Sequence, residues 1–400
     1  MTTEFSELSI SLTKKLSKLI KKEQGIFFTP NTIIMKFCDN IPIDKFNEIL
    51  EPSCGSGAFI DYIKNTKTEY TLDAVELNEI IFNELKEKIK EDKINLINQD
   101  YTQYNPNKTY DLIIGNPPYF VCSKEQIPFE YKSYIIGRPN MFGIFILQSI
   151  KLLKNNGVIA FIIPKSFLNT SYYSKIRNYL MENGNILKII DFEEYDSFLE
   201  TKQSTFGFIF QKTNEKKPCS FSMKIGNNYI FTTDLQKLQK IFENSTTLEK
   251  LGLTVKTGPI VWNENKQILS DDDTEPLLIY NSNITKNNSL CILKFSNNEK
   301  KQYIKKTGQQ KPLIVVNRGN GNSAYKLNYA YIDGSKTFLV ENHLNMIFSS
   351  LDLPINEIKL KYDIVINSFS NKKTDEFVKL FLGNNGLSKT ELETIFPIYL

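Results

Sequence analysis

The 400-residue chain predicts an α/β fold: a mostly parallel sheet covered by helices on both faces, followed by a C-terminal α+β domain. Three observations carry this. From 47 to 212, short apolar runs of strand length alternate with helical stretches, the pattern of a sheet buried on both sides. The length exceeds what one domain usually holds, roughly 100–200 residues. Beyond the polar stretch TNEKKP (213–218) the alternation stops, and short strand-like runs are separated by Asn, Gly and Asp clusters. The expected domains are therefore 1–215 and 220–400, with 213–218 as linker.

Taken in order, residues 5–22 read as one amphipathic helix, with Phe5, Leu8, Leu12, Leu16 and Leu19 at helical spacing. A loop GIFFTP follows, in which Thr29 is placed to cap a second helix with Pro30 at its first position, where a missing N–H costs nothing. Strands are expected at 47–53, 70–77, 94–98, 110–116, 157–164, 186–192 and 204–212. The intervening helices are GAFIDYIKN, 78–91, 141–154 and 166–182; the third of these is apolar nearly all round. In the second domain, strand-like runs include LTVKTGPIVW, PLLIYNSNI, CILKF and KPLIVVNRGNGN.

Composition narrows the chemistry. No run of about 18 uncharged apolar residues occurs, so no membrane span is expected, and the N-terminus lacks the pattern of a secretion signal. Cys38, Cys54, Cys122, Cys219 and Cys291 are scattered without a CxxC pair, which argues against disulfides and zinc and for a reducing compartment. His343 is the sole histidine, so no other histidine can serve a metal or a catalytic triad. No metal site is expected. The net charge is +4; residues 1–219 hold 27 basic and 27 acidic residues and 220–400 hold 22 and 18, so the excess lies in the C-terminal half, a weak pointer to a polyanion there.

Three motifs carry chemistry. Glu51-Pro52-Ser53-Cys54-Gly55-Ser56-Gly57 lies between a strand and a helix, where glycines let backbone approach a ligand and the acid can bind a polar group of it. Glu76 ends the next strand, the position that holds ribose hydroxyls; no Walker phosphate loop is present. Asp100-Tyr101 follows the third strand and offers an acceptor and a ring to an adenine, although a polar loop beside a half-buried tyrosine would look the same. Asn116-Pro117-Pro118-Tyr119 ends the fourth strand. Two prolines stiffen the turn, so that the Asn116 amide oxygen and the Pro117 carbonyl, both acceptors, can face one –NH2 group, with the Tyr119 ring beside it to stack a planar base.

EPSCGSGAFI, Glu76, QDY at 99–101 and NPPYF resemble the Rossmann-like class I S-adenosylmethionine-dependent methyltransferases, and more closely the TaqI-type (gamma-class) adenine-N6 DNA methyltransferases, whose aromatic Thr-Pro segment is matched by GIFFTP. The resemblance covers 25 to about 212; LTVKTGPIVWN and KPLIVVNRG resemble that family's target-recognition domain less specifically. It implies S-adenosylmethionine as cofactor, held by Phe27, Thr29, Glu51, Ser53, Gly55, Gly57, Glu76, Asp100, Tyr101, Asn116, Pro118 and Phe145. It implies Asn116, Pro117, Pro118 and Tyr119 as catalytic, with Phe198 as second face of a base sandwich and Phe192 and Tyr195 as competitors. Ile26 stands where many relatives carry a polar residue, a departure with little bearing on cofactor binding. Lys305, Lys306 and Arg318 are placed on DNA by location alone.

The implied reaction is methylation of a flipped adenine in double-stranded DNA. Two acceptors would favour a pyramidal nitrogen, no general base is needed before attack, and stacking would offset part of the cost of flipping. The same motif suits other planar amines, so RNA, protein glutamine and cytosine N4 stand as alternatives, as does an inactive DNA-binding relative. The resemblance further implies a monomer without membrane contact, serving a restriction-modification system with or without a cognate endonuclease, or a virus. The expected location is the bacterial cytoplasm or, for a viral enzyme, a host compartment.

Overall fold

A computed structural model describes residues 4–192, 204–295, 299–319, 325–351, 353–382 and 386–400. The chain divides into two compact units, Met1–Leu235 and Gln236–Leu400.

The first unit is built on seven strands: β1 (Glu48–Glu51), β2 (Thr71–Glu76), β3 (Ile94–Asn98), β4 (Tyr110–Gly115), β5 (Leu153–Pro164), β6 (Gly184–Asp191) and β7 (Thr205–Lys212). Their order is β3-β2-β1-β4-β5-β7-β6. β1 to β5 are mutually parallel, and β7 runs antiparallel to both β5 and β6. This is a Rossmann-like, mostly parallel α/β sheet, as the sequence predicts. Successive strand residues serve opposite faces. Ile49, Leu72, Leu112 and Ile114 pack with helices α3 (Asn31–Cys38), α4 (Ala58–Thr66) and α5 (Glu79–Lys88) through Phe37, Phe59, Ile60 and Leu85. Leu50, Val75, Ile113 and Ile159 face α6 (Met141–Leu152) and α7 (Ser174–Asn183) through Phe142, Ile146, Ile176 and Leu180. α6 is buried on every side, as its composition predicts; its polar Gln148 is satisfied by the Tyr131 hydroxyl and the Tyr104 carbonyl.

Four expectations are corrected. The N-terminal helix is two, α1 (Glu7–Lys15) and α2 (Lys18–Gln24): Leu16 is extended, and the Ser17 side chain accepts the Ile20 N–H to start a new helix, a local signal that the continuing leucine spacing hid. Thr29 makes no cap; Pro30 is the N-cap of α3 and Thr29 is spent elsewhere. The stretch 166–182 opens with two short 3₁₀ turns and becomes α-helical at Ser174. Residues 213–218 are not a free linker: Thr213 N–H bonds Asn183 O, Asn185 Nδ2 bonds Glu215 O and Lys216 Nζ bonds Met181 O. The hairpin Ser222–Ile225/Asn228–Phe231 then returns onto α7, where the buried Arg177 donates through Nε to Tyr229 O, so the first unit reaches 235.

The second unit holds two four-stranded sheets. One orders Leu253–Thr257, Leu344–Ser349, Leu313–Asn317 and Tyr329–Ile332, all antiparallel. The other orders Leu269–Ser270, Tyr303–Ile304, Leu277–Ile279 and Phe338–Val340, the last pair parallel. Helices Leu235–Phe242, Ile355–Phe369, Lys372–Phe381 and Lys389–Thr394 and the antiparallel pair Ser245–Thr246/Ile398–Tyr399 accompany them. Among the described residues no helix is long and apolar enough to cross a membrane.

Candidate active site

The strand order reverses between β1 and β4, and in open α/β sheets ligands sit beyond the carboxyl ends of the strands at such a point. A cleft lies there, lined by the ends of β1, β2, β3 and β4 with Met141 and Phe145 of α6.

The loop after β1 turns into α4 through Gly55 and Gly57, both left-handed (φ +52° and +77°); a Cβ on Gly57 would come within 2.7 Å of Leu85. Glu76, at the end of β2, braces this loop: Oε2 accepts the Gly55 N–H at 2.9 Å and Oε1 the Asn78 N–H at 2.8 Å. Burial raises its carboxyl above the ordinary range, against the pull of those backbone donors. Glu51, one strand away, has no such compensation. It is 1% exposed, and its Oε2 has no hydrogen-bond partner among the described residues. Burial, then the charges of Asp61 and Glu76, hold its carboxyl well above the usual glutamate range.

After β3, Asp100 caps a short turn, its Oδ1 accepting the Thr102 N–H and hydroxyl at 2.8 Å each. The Tyr101 ring packs on Phe145 with centroids 4.7 Å apart, and its hydroxyl bonds Ser149 Oγ at 2.9 Å. After β4, Asn116 is tied at three atoms. Its Nδ2 donates to Thr29 Oγ1 at 3.0 Å, its carbonyl accepts from Ser53 Oγ at 3.2 Å, and its Oδ1 accepts from the Tyr119 hydroxyl. The single hydrogen of that hydroxyl is shared with Ile162 O, at 2.6 Å, and Tyr119 is buried. The Tyr119 ring lies nearly parallel to Phe27, 24° apart with centroids at 6.4 Å, and edge-on to Phe142. The GIFFTP segment is pressed on this loop: Gly25 is left-handed, and a Cβ there would come within 2.9 Å of the Tyr119 backbone nitrogen.

Of the residues implied for cofactor binding, Phe27, Ser53, Gly55, Glu76, Asp100, Tyr101, Asn116, Pro118 and Phe145 line the cleft. Thr29, Glu51 and Gly57 do not. Thr29 orients Asn116, Glu51 lies beneath the loop, and Gly57 makes the turn. Pro117 follows Asn116 outside the lining. Gln24, Leu77, Gln99 and Met141 line the cleft without having been foreseen; Leu77 could have been, since it follows the acid of β2 and leaves a large apolar side chain exposed. Phe198 and Tyr195 lie outside the described residues. Phe192 is in the core, edge-on to Phe37 at 6.3 Å, and is not free to stack a base. In the second unit, Lys305 and Lys306 border an open hollow with Glu275 and Thr337. Arg318 is exposed, its Nη1 donating to Asn342 O at 2.8 Å. Among the described residues no group of three His, Cys, Asp or Glu is disposed to hold a metal.

The sequence pattern of the Eco57I restriction-modification methylase family matches residues 1–198. Type II methyltransferase M.CvrRI of Paramecium bursaria Chlorella virus XZ-6E is 24% identical over 401 residues, covering 99% of both chains. Modification methylase CviBIII of Paramecium bursaria Chlorella virus NC1A is 24% identical over 408 residues, again covering 99% of each. Type II methyltransferase M.AccI of Acinetobacter calcoaceticus is 33% identical over 202 residues, which is 47% of this chain and 37% of that protein.

Proposed function

We propose that the chain, whose residues 1–198 match the sequence pattern of the Eco57I restriction-modification methylase family, is a DNA methyltransferase acting on the exocyclic amino group of adenine in duplex DNA, with the unit from 236 recognising the target site. Its relatives named as type II methyltransferases and modification methylases support the reaction class, and those matched over nearly their whole length support an activity residing in one chain. The observation that carries the choice of an amine is the tethered Asn116 at the end of β4, on the wall of the cleft beyond the strand ends.

The residues fit S-adenosylmethionine. Glu51 keeps a buried acceptor without a partner, which is what a ligand ammonium requires. Glu76 stands at the strand end suited to ribose hydroxyls, and Tyr101 with Phe145 gives an aromatic wall for a purine. When bound, the cofactor supplies an electrophilic methyl group on a sulfonium.

The chain's part is orientation and electrostatics. Thr29 accepts from Asn116 Nδ2, so the amide is fixed with its oxygen available to a donor. That oxygen and the Pro117 carbonyl can take both N–H bonds of a target amine, and positive charge developing on the nitrogen then meets two preorganised dipoles. The Tyr119 hydroxyl, which now holds Asn116 Oδ1, must yield to the incoming amine. No side chain need remove a proton before attack, since the amine becomes acidic only once alkylated. Incubation with unmethylated DNA and S-adenosylmethionine, digestion to nucleosides and mass spectrometry tests the proposal. N6-methyladenine is expected. Unmodified DNA from protein that binds the cofactor would turn the reading to RNA or protein glutamine.

A further inference from the structure

The turn Glu341–Leu344 in the second unit carries a polar arrangement that neither strand pairing nor core packing requires. Glu341 is 2% exposed, yet both its carboxylate oxygens serve the residue two places on. Oε1 lies 2.6 Å from His343 Nδ1, and Oε2 accepts the His343 backbone N–H at 2.9 Å. The His343 side chain itself is 72% exposed. A buried carboxylate is costly unless well bonded. One that is committed to aiming a solvent-exposed imidazole is the arrangement by which proteins fix the direction and tautomer of a working histidine. Because a carboxylate only accepts, Nδ1 carries the hydrogen, and in the neutral ring Nε2 faces outward as an acceptor.

The surroundings suit nucleic acid. Arg318 is joined to the same turn, its backbone N–H on His343 O at 3.0 Å and its exposed guanidinium on Asn342 O. Lys300 lies over Tyr280 at 4.2 Å and Phe295 at 4.9 Å, with the sole tryptophan, Trp262, at 5.6 Å, and its charge faces Glu341. Residues 300–340 hold eight lysines and arginines against one acid, Asp333. Such a stretch attracts a phosphate backbone without reading it. A neutral His343 differs from these cations: a phosphate oxygen can only accept, so an outward acceptor finds no partner there, whereas a base edge supplies one.

We infer that His343 reads one base pair of the target duplex, its Nε2 accepting a hydrogen bond in the major groove from the exocyclic amino group of an adenine or cytosine, and that Glu341 is the positioning residue that sets the tautomer. The inference rests on the second unit being the one that recognises DNA.

The experiment is methylation of a randomised DNA pool by the full chain and its variants, with sequencing of the methylated positions. His343→Ala lowers the preference for the wild-type base at one position by about tenfold and leaves the others. Glu341→Gln gives a sharper outcome. The glutamine oxygen can still accept the His343 backbone N–H, but its amide donates to Nδ1, so Nε2 becomes a donor. Preference at that one position then moves from adenine or cytosine to a base offering an acceptor, guanine or thymine. A merely structural Glu341 would lower the melting temperature without inverting a base preference. If Glu341→Gln does not fold, the exposed His343 still carries the test. Unchanged preferences in the folded variants overturn the inference, and so does a uniform loss on all sequences with a shallower salt dependence, the mark of a phosphate contact. A wild-type chain that methylates no DNA at all overturns the underlying reading instead.

Discussion

The loop after β1 and the loop after β4 border one cleft but leave their polar groups in opposite states. After β4, the Asn116 amide nitrogen, amide oxygen and backbone carbonyl are all bonded, to Thr29, Tyr119 and Ser53. After β1, Glu51 keeps Oε2 buried and unpartnered. An unsatisfied buried polar group costs about 1–3 kcal/mol, more when charged. The cofactor loop therefore gains a bond if a cationic ligand reaches beneath it to Glu51, whereas the substrate loop exchanges one bond for another. Ligand binding should stabilise the fold chiefly through the first loop, and discrimination of the target should arise in the second.

The largest test of this contrast is Asn116→Ala. It should lower kcat by about 10²–10³ and leave the cofactor dissociation constant, measured by calorimetry, within a few-fold of wild type. Near-wild-type turnover would remove Asn116 from the mechanism. Next is Glu51→Gln, expected to weaken cofactor binding about tenfold or more. Its pH behaviour follows from the sign of the shift. The folded Glu51 carboxyl is raised, so the folded chain binds more protons than the unfolded one, and apoprotein stability falls as pH rises above the ordinary glutamate range. Cofactor binding should recover more stability at the higher pH, where the carboxyl is ionised. Thermal melts across roughly pH 5 to 9, with and without S-adenosylmethionine, should show both slopes flattened in Glu51→Gln. Some slope will remain from Glu76, whose carboxyl is raised as well. Unaltered slopes would mean that Glu51 is not the strained group.

The two loops were also unequally legible. Glu51, Glu76, Asp100 and Asn116 could be placed because each follows an apolar strand and precedes a turn or helix signal, and parallel strands bring all such ends to one edge. What could not be read were partners distant in sequence. Thr29 before Pro30 has the local form of a helix cap, and only the fold brings Asn116, 87 residues on, to its hydroxyl. Phe192 offered the same ring as its neighbours until contact with Phe37 claimed it for the core. The domain boundary was set at a polar stretch, yet backbone and lysine hydrogen bonds tie that stretch to the rim of the sheet, and the following hairpin stays with the first unit.

The Thr29–Asn116 bond gives a smaller effect. Without Oγ1, the amide can rotate and turn its NH2 toward an incoming amine, donor against donor. Thr29→Val should therefore lower kcat about tenfold with little change in cofactor affinity, and Thr29→Ser should restore it. A loss of cofactor affinity instead would return Thr29 to the cofactor site.

The smallest change expected is at Tyr119, where the two functions of one side chain can be separated. Its ring is buried against Phe27 and Phe142 and must be uncovered to stack a base, a contact worth about 1–3 kcal/mol, while its hydroxyl now holds the oxygen that a target amine would take. Tyr119→Ala should lose base capture, read as weaker binding to DNA carrying an abasic or mismatched partner opposite the target. Tyr119→Phe keeps the ring and removes the competitor. It also loses the bond to Ile162 O, at a cost of about 1 kcal/mol in stability. Turnover should then stay within a few-fold of wild type, with an unchanged or lower KM for DNA. A fall of tenfold or more in kcat for Tyr119→Phe would mean that the hydroxyl takes part in the reaction, and that the β4 loop is assembled for catalysis before the base arrives rather than by exchange with it.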